Sequence, residues 1–428
     1  MTDEPGSVPA ERSGPRRLAS RLALDVTPLR LYPDYRRLWF AQGISFIGTE
    51  IAFVALAYQV YQLTGSTLAV GLIALTHLVP LLTLTLIGGA IADAVDRGRL
   101  MLVQQIGMLA GSLGLAANAA LDEPRVWPLY AFEFLISASF SLGIGAQRSM
   151  TPQLVEERHF ISASALNSVT SQLGAVAGPG LAGVLIKFVD LKWIYLADSL
   201  TYLGAIAAVS LLPRLVATED ADRPSLRSIA EGFRYVRRQP VILGFFLIDT
   251  NAMIFGMPMA LFPALAEHRF GDPSLVGYLY AAPAVGALLV SLLSGPLREL
   301  RRQGLGVVVM ASLWGVAIAA FGFAEQLWLA LLLLGFAGLA DQVSAILRSV
   351  MLFSITPRSV LGRVSGIEFM QVAAAPSIGN LEAGALASLT SVRFSIVSGG
   401  IACVAGCLLL ALAFPALLRY DSRRDADA

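Results

Sequence analysis

The sequence predicts an all-α integral membrane protein, with twelve transmembrane helices in two pseudo-symmetric six-helix bundles. Three observations predict it: recurrent long apolar runs, a one-sided distribution of basic residues, and an internal repeat. Of 428 residues, 56% are hydrophobic and 14% charged, against about 25% charged in soluble domains.

The apolar runs come first. Six fall near residues 38–62, 67–91, 100–121, 127–149, 163–187 and 192–212. Six more fall near 241–264, 274–297, 305–324, 327–349, 365–389 and 393–415. Each is long enough to cross a hydrocarbon core about 30 Å thick. The expected organisation is a tail over 1–37, a bundle over 38–212, a linker over 213–240, a bundle over 241–415 and a tail over 416–428. In the linker, Leu226, Ile229, Phe233 and Val236 share a helical face, and Ser228 with Glu231 fits a capping box. A short amphipathic helix is expected there, docked on the membrane or on the protein.

The basic residues set the orientation. Of 31 Lys and Arg, 26 fall on the side of the N-terminus and 5 on the other side. Basic residues favour the cytoplasmic side, so both termini are expected in the cytoplasm and the chain in the plasma (inner) membrane. The first 37 residues are Arg-rich and broken by Pro, and read as a cytosolic tail without a cleavable signal. A net charge of +1 gives no reason to expect a nucleic-acid partner.

The repeat supports the two bundles. "GSTLAVGLIALTHLVPLLTLTLIGGAIAD" from Gly65 aligns without a gap to "GDPSLVGYLYAAPAVGALLVSLLSGPLRE" from Gly271, matching Gly89 to Gly295. A looser pair starts at Arg148 and Arg348, where each run is expected to leave its span at an Arg-Ser. Parallel duplication of six helices around a midplane site is a transporter architecture.

Two motifs carry a resemblance. The loop after the second span holds Gly89, Asp93, Arg97 and Arg99, with Ala94 and Asp96 departing from the usual pattern. It looks like motif A of the major facilitator superfamily. The fifth span holds "GAVAGPGLAG", with Gly174, Gly178, Pro179 and Gly183, similar to the antiporter motif C of that superfamily. The chain resembles the superfamily from about residue 32 to 415. Within it, "LFPALAEHRFGDPSLVGYLYAAPAVGALLVSLLSG" and "LGRVSGIEFMQ" look like the enterobactin exporter subgroup, which is similar to multidrug efflux pumps. The resemblance implies the major facilitator fold and a fifth span that helps seal the cavity in one state; Asp93, with Glu299 at the duplicated position, is expected as a cytosolic gate latch. "APSIGNLEAG", around Pro376 and Gly379, is the expected counterpart of motif C in the second half.

The chemistry is then that of a carrier. Lys187 and Lys192 are followed by Phe and Trp, so the chain has no Gly-Lys-Ser/Thr nucleotide loop. An ion gradient is the remaining energy source. Intramembrane acids are expensive to keep and mark proton or ion paths. Glu50, Glu133, Asp249 and Asp341 fall on spans 1, 4, 7 and 10, which the resemblance implies line the central cavity. Glu50, Asp249 and Asp341 are expected as proton or cation-substrate sites and Glu133 as an outer gate. His77 is a weaker relay candidate. Asp198 and Glu382, toward the outer ends of their spans, are expected to reach water. Gln42, Gln172, Asn251, Gln342 and Gln371 offer hydrogen bonds to a substrate or between helices.

Cys403 and Cys407 read as packing residues, and neither a metal nor a cofactor is expected. No nucleophile–base pairing points to an enzyme. The expected function is export of a small amphipathic molecule, a siderophore or drug-like compound, by proton antiport with alternating access. The partners are the substrate, protons and the bilayer, with the chain a monomer. The alternatives are a nutrient importer of the same fold and a non-transporting membrane sensor.

Overall fold

The computed structural model describes residues 25–94, 96–212, 226–292 and 300–421, with the side chains of 86–94, 148–149 and 226–229 excepted. Among the described residues the chain is all-helical and contains no strand. A short α1 (Thr27–Leu31) leads into α2 (Pro33–Thr64), where Pro33 stands at the first position, a place that needs no amide hydrogen. The first half continues with α3 (Thr67–Ala94), α4 (Arg97–Ala119), α5 (Val126–Leu154), α6 (Phe160–Phe188) and α7 (Leu191–Ser210). The linker forms α8 (Leu226–Arg238). The second half contains α9 (Pro240–Phe255), α10 (Phe262–His268), α11 (Val276–Leu292), α12 (Gln303–Phe321), α13 (Leu327–Ile355), α14 (Arg358–Leu389) and α15 (Val392–Ala413), with a short α16 (Pro415–Arg419) after them.

The repeat is visible in the packing. In the first half α4 packs on α5, α3 on α5, α4 on α7, and α2 on both α6 and α7. The second half repeats each pair: α12 on α13, α11 on α13, α12 on α15, and α9 on both α14 and α15. Across the halves α3 packs on α14 and α6 on α11, one contact made twice. The matched glycines Gly65 and Gly271 are the described residues with positive φ, +60° and +71°. Each turns the chain after the first span of its half, in a conformation that only glycine adopts cheaply.

The halves touch toward the face opposite the chain ends. A Cβ on Gly183 of α6 would overlap the backbone of Ser274 and Gly277, and one on Gly384 of α14 would overlap that of Thr67. Such close approach is the use of small residues between membrane helices. Thr67 Oγ1 donates to Gly384 O at 3.0 Å, and Lys187 Nζ lies 3.1 Å from Asp272 Oδ2. Hydrogen bonds from Ser274, then Lys187, hold the Asp272 carboxyl below the usual carboxylate range.

Three expectations need correction, while the span count is approximately met: eleven helical segments among the described residues are apolar and long enough to span, against twelve runs expected. The twelfth, α14, has the length but carries Arg363, Glu368, Gln371, Asn380 and Glu382. Three of these find partners inside the protein: Arg363 Nη1 lies 2.9 Å from Glu231 Oε2, Gln371 Nε2 donates to Asp249 Oδ2 at 2.9 Å, and Asn380 Oδ1 accepts from Ala260 N at 3.0 Å. The seventh span is broken, since α9 ends at Phe255 and α10 begins at Phe262, with Gly256 and Pro258 between. The freed backbone is paired: Trp314 Nε1 donates to Gly256 O at 3.1 Å, Tyr280 OH to Met259 O at 3.0 Å, and Ala260 N to Asn380 Oδ1 at 3.0 Å.

The helices α5 and α13 do not end at their Arg-Ser pairs but run on to Leu154 and Ile355. Arg348 is therefore inside the bundle, its side chain 9% exposed. In α8 the packed face is that of Gly232 and Val236 against α14, while Phe233 points outward, 55% exposed. A Cβ at Gly232 would lie 3.1 Å from both Arg363 Cβ and Ile367 Cδ1, so a larger residue there requires its neighbours to shift. The capping residue Ser228 and the face residues Leu226 and Ile229 lie outside the described side chains.

Candidate functional site: an acidic cavity between the halves

The two halves enclose a cavity of about 460 Å³. The first half supplies most of its polar wall: Glu50 from α2, His77 from α3, Glu133 and Ser137 from α5, and Asp198 from α7. The second half supplies Met259 and Ala260 from the break in the seventh span, Tyr280 from α11, and Pro376 and Asn380 from α14. Irregular backbone at membrane depth thus occurs where it lines a cavity.

At the centre is an imidazole–carboxylate pair. His77 Nε2 lies 2.9 Å from Glu133 Oε1, and His77 Nδ1 lies 2.9 Å from Ser137 Oγ. The ring is met edge-on by Phe53, with centroids 5.5 Å apart. Glu133 is about two turns from the start of α5, as expected, yet its carboxylate is buried and turned inward to His77. Glu50 lies mid-span in α2, and no hydrogen bond or ion pair reaches its carboxylate among the described residues. Its Cβ is seated against Gly178 of the motif C-like stretch, and Phe46, one turn earlier, against Gly174. The glycines of α6 thus serve two neighbours, with Gly174 and Gly178 receiving α2 and Gly183 receiving α11.

Asp198 departs from expectation. It is 2% exposed and accepts a hydrogen bond from Ser112 Oγ at 2.8 Å, so it does not reach bulk water at a span end. Tyr202, one turn on, shares a hydrogen bond of 2.8 Å with Thr49.

The second half holds a different charge cluster, outside the cavity wall. Arg348 Nη1 lies 2.7 Å from Asp249 Oδ1, and Arg348 Nη2 lies 3.9 Å from Asp341 Oδ1. Arg348 Nη1 also donates to Ser344 Oγ at 2.9 Å, and Gln371 donates to both Asp249 and Phe246 O. The structure thus brings Glu50 and Glu133 together and separates them from Asp249 and Asp341. Asn251 bridges helices, donating to Cys403 O at 2.8 Å; Cys403 and Cys407 are free and buried. Among the described residues no cluster of metal-ligating side chains occurs.

The motif A-like loop is described in part. The side chains of Gly89 and Asp93 lie outside the described residues. Arg97 and Arg99 open α4, with Arg97 buried. Asp96, the departure from the usual pattern, caps that helix, accepting from Gly98 N at 2.8 Å and Arg99 N at 3.2 Å. Sequence reasoning missed the His77–Glu133 pairing, the burial of Arg348 and the break at Gly256. Only the break had a local signal, a Gly and a Pro two residues apart inside an apolar run.

Two helical halves packed around a cavity between them define a transporter of the major facilitator type. The chain belongs to the transmembrane secretion effector family of that superfamily, whose match runs over residues 24–425. It is 31% identical over 390 residues to the enterobactin exporter EntS of Shigella boydii serotype 18, covering 90% of this chain and 93% of that protein. It is 30% identical, with the same coverage, to the enterobactin exporter EntS of Escherichia coli O81. Among solved structures it is similar to the nucleoside transporter NupG, with a TM-score of 0.71 at 12% identity, covering 90% of this chain and 99% of that one. It is also similar to a bacterial homolog of the human lysosomal transporter Spinster in an inward-facing, unoccupied conformation. That TM-score is 0.69 at 14% identity, with coverage of 94% and 98%. At such identities these two likenesses speak for the fold. The protein is a multi-pass membrane transporter and not an enzyme.

Proposed function

We propose that the chain exports a small amphipathic molecule, a siderophore or drug-like compound, across the plasma (inner) membrane in exchange for protons. In this reading it works as a monomer with both termini cytoplasmic. The observation that carries it is the unpartnered Glu50 beside the His77–Glu133 pair on the wall of a cavity between the halves. A carboxylate and an imidazole in that position can take up protons when substrate leaves and release them when it returns. The family description and the exporters among its relatives support the outward direction.

The mechanism follows from the contacts. The halves are held together toward the face opposite the chain ends by Lys187–Asp272, Thr67–Gly384 and the Gly183–Gly277 approach. With the termini cytoplasmic, this is a periplasmic seal over a cavity loaded from the cytoplasm. Rocking the halves about the cavity breaks these contacts, and the motif A-like loop with Asp93 is proposed to latch the cytoplasmic side. Asp249 and Arg348 act in this reading as a neutralised pair, with Asp341 beside it, that stiffens the second half.

Reconstitution in vesicles with an imposed pH gradient tests it. Flux of a transported dye or siderophore is expected to depend on the gradient. Proton coupling is expected to be lost in Glu50→Gln and in Glu133→Gln, and retained in Asp341→Asn. Gradient-independent flux would refute antiport, and wild-type coupling in both glutamine variants would refute the site.

A further inference from the structure

We infer that the substrate taken up by this cavity is an amphipathic organic cation bearing hydrogen-bond donors, with its charge seated at Glu50, and is not an anionic chelator. The inference deepens the transport reading and rests on it only in taking the cavity as the substrate site.

The charge of the wall is one-sided. Glu50, Glu133 and Asp198 line it, and among the described lining residues there is no Lys or Arg. His77 offsets at most one of the three, and both of its ring nitrogens are already engaged, by Glu133 and Ser137. Asp198 is held by Ser112. Among the described residues Glu50 has no hydrogen-bond or ion-pair partner, so it is the carboxylate with a free bonding capacity toward the cavity.

Uncharged groups point the same way. Gln104 and Gln105 of α4 line the cavity while only 3% and 5% exposed, and the Oε1 of each accepts no hydrogen bond. A buried acceptor without a donor is rare in a folded protein, because desolvating it is costly. Two such acceptors on the wall that also carries Glu50 match a ligand that brings N–H groups and positive charge. An anionic ligand would face like charge in a site of low dielectric, although Gln42 Nε2 on the same wall is a donor without an acceptor among the described residues.

The remaining wall suits the rest of such a molecule. Phe46, Phe53, Phe140 and Tyr280 line the cavity, and Phe53 meets Tyr280 edge-on at 6.0 Å across the two halves. Aromatic faces hold an apolar body and attract a cation. A cavity of this volume that combines aromatic surface with convergent polar groups is the form of a drug-sized site.

Equilibrium binding to the full chain in lipid nanodiscs at neutral pH, without a gradient, tests the inference. The probes are ethidium, a permanent planar cation with amino donors, and dihydroxybenzoate, an anionic catechol carboxylate. Ethidium is expected to bind saturably, and dihydroxybenzoate is expected neither to bind nor to compete. Glu50→Gln is expected to weaken ethidium by at least tenfold, while Glu50→Asp, which keeps the charge, stays within about threefold of the wild type. Absence of saturable ethidium binding, equal binding by Glu50→Gln, or displacement by dihydroxybenzoate would each overturn the proposal. Because binding needs no turnover, a failed flux experiment leaves this result standing. Proton-coupled transport of the catechol would sink the cation while sparing the antiport.

Discussion

In the first half, Glu133 faces a histidine across 2.9 Å on the wall of a cavity. In the second half, Asp249 faces an arginine across 2.7 Å in a packed interior. The acids lie on corresponding bundles, and their partners differ in one property. An imidazole gains and loses its proton near neutral pH, whereas a guanidinium keeps its charge. The first pair can therefore be switched by protonation, and the second is a fixed neutralisation. The exposure agrees, since the Arg348 and Asp249 side chains are 9% and 3% exposed while His77 is 39% exposed toward the cavity. Duplication supplied the same scaffold twice, and side-chain identity made one half a site and the other a support.

Breaking the fixed cluster carries the largest expected effect. Arg348→Met leaves Asp249 buried and unpaired, a loss of roughly 3–5 kcal/mol, read as a fall in melting temperature in detergent. The double variant with Asp249→Asn is expected to recover most of that loss. Recovery would confirm that the pair is a support; a single variant as stable as the wild type would contradict it.

The switchable pair is predicted to respond in function before stability. Glu133→Gln removes the charge beside His77 and costs about 1–3 kcal/mol of stability. Its larger signature is a flux that no longer changes with pH across the range where histidine titrates. A pH profile unchanged from wild type would remove His77 and Glu133 from the coupling step.

Smaller effects sharpen the contrast between buried and exposed contacts. Ser137→Ala removes the partner of His77 Nδ1 and is expected to cost about 0.5–1.5 kcal/mol, with a modest change in the same pH profile. Lys187→Ala breaks an ion pair whose Lys side chain is about half exposed, worth about 0.2–1 kcal/mol at most. The measurement is flux, expected within a few-fold of wild type. A complete loss would make this pair the principal periplasmic seal in place of the glycine contacts.

Much of the fold was legible because its causes are local. Apolar run length is set by bilayer thickness, so segments such as 67–91 and 393–415 announced α3 and α15 before any contact was known. The gap-free repeat announced the pseudo-symmetry, and Gly65 with Gly271 bore it out in their shared positive φ. The candidate acids were legible as a set, because a charge inside an apolar run is conspicuous.

Their roles were not legible. Glu133 and His77 are 56 positions apart in the sequence, and only the packing of α3 on α5 brings them together. Arg348 reads as a span-end charge until α13 is seen to continue to Ile355 and turn it toward Asp249. By itself the sequence determined an all-helical, duplicated membrane chain with a short roster of buried acids, since hydropathy and repetition are written residue by residue. Only the tertiary structure decided which acids share a cavity, which are neutralised and where the halves meet. Those outcomes depend on distances between side chains of different helices, which no local pattern encodes.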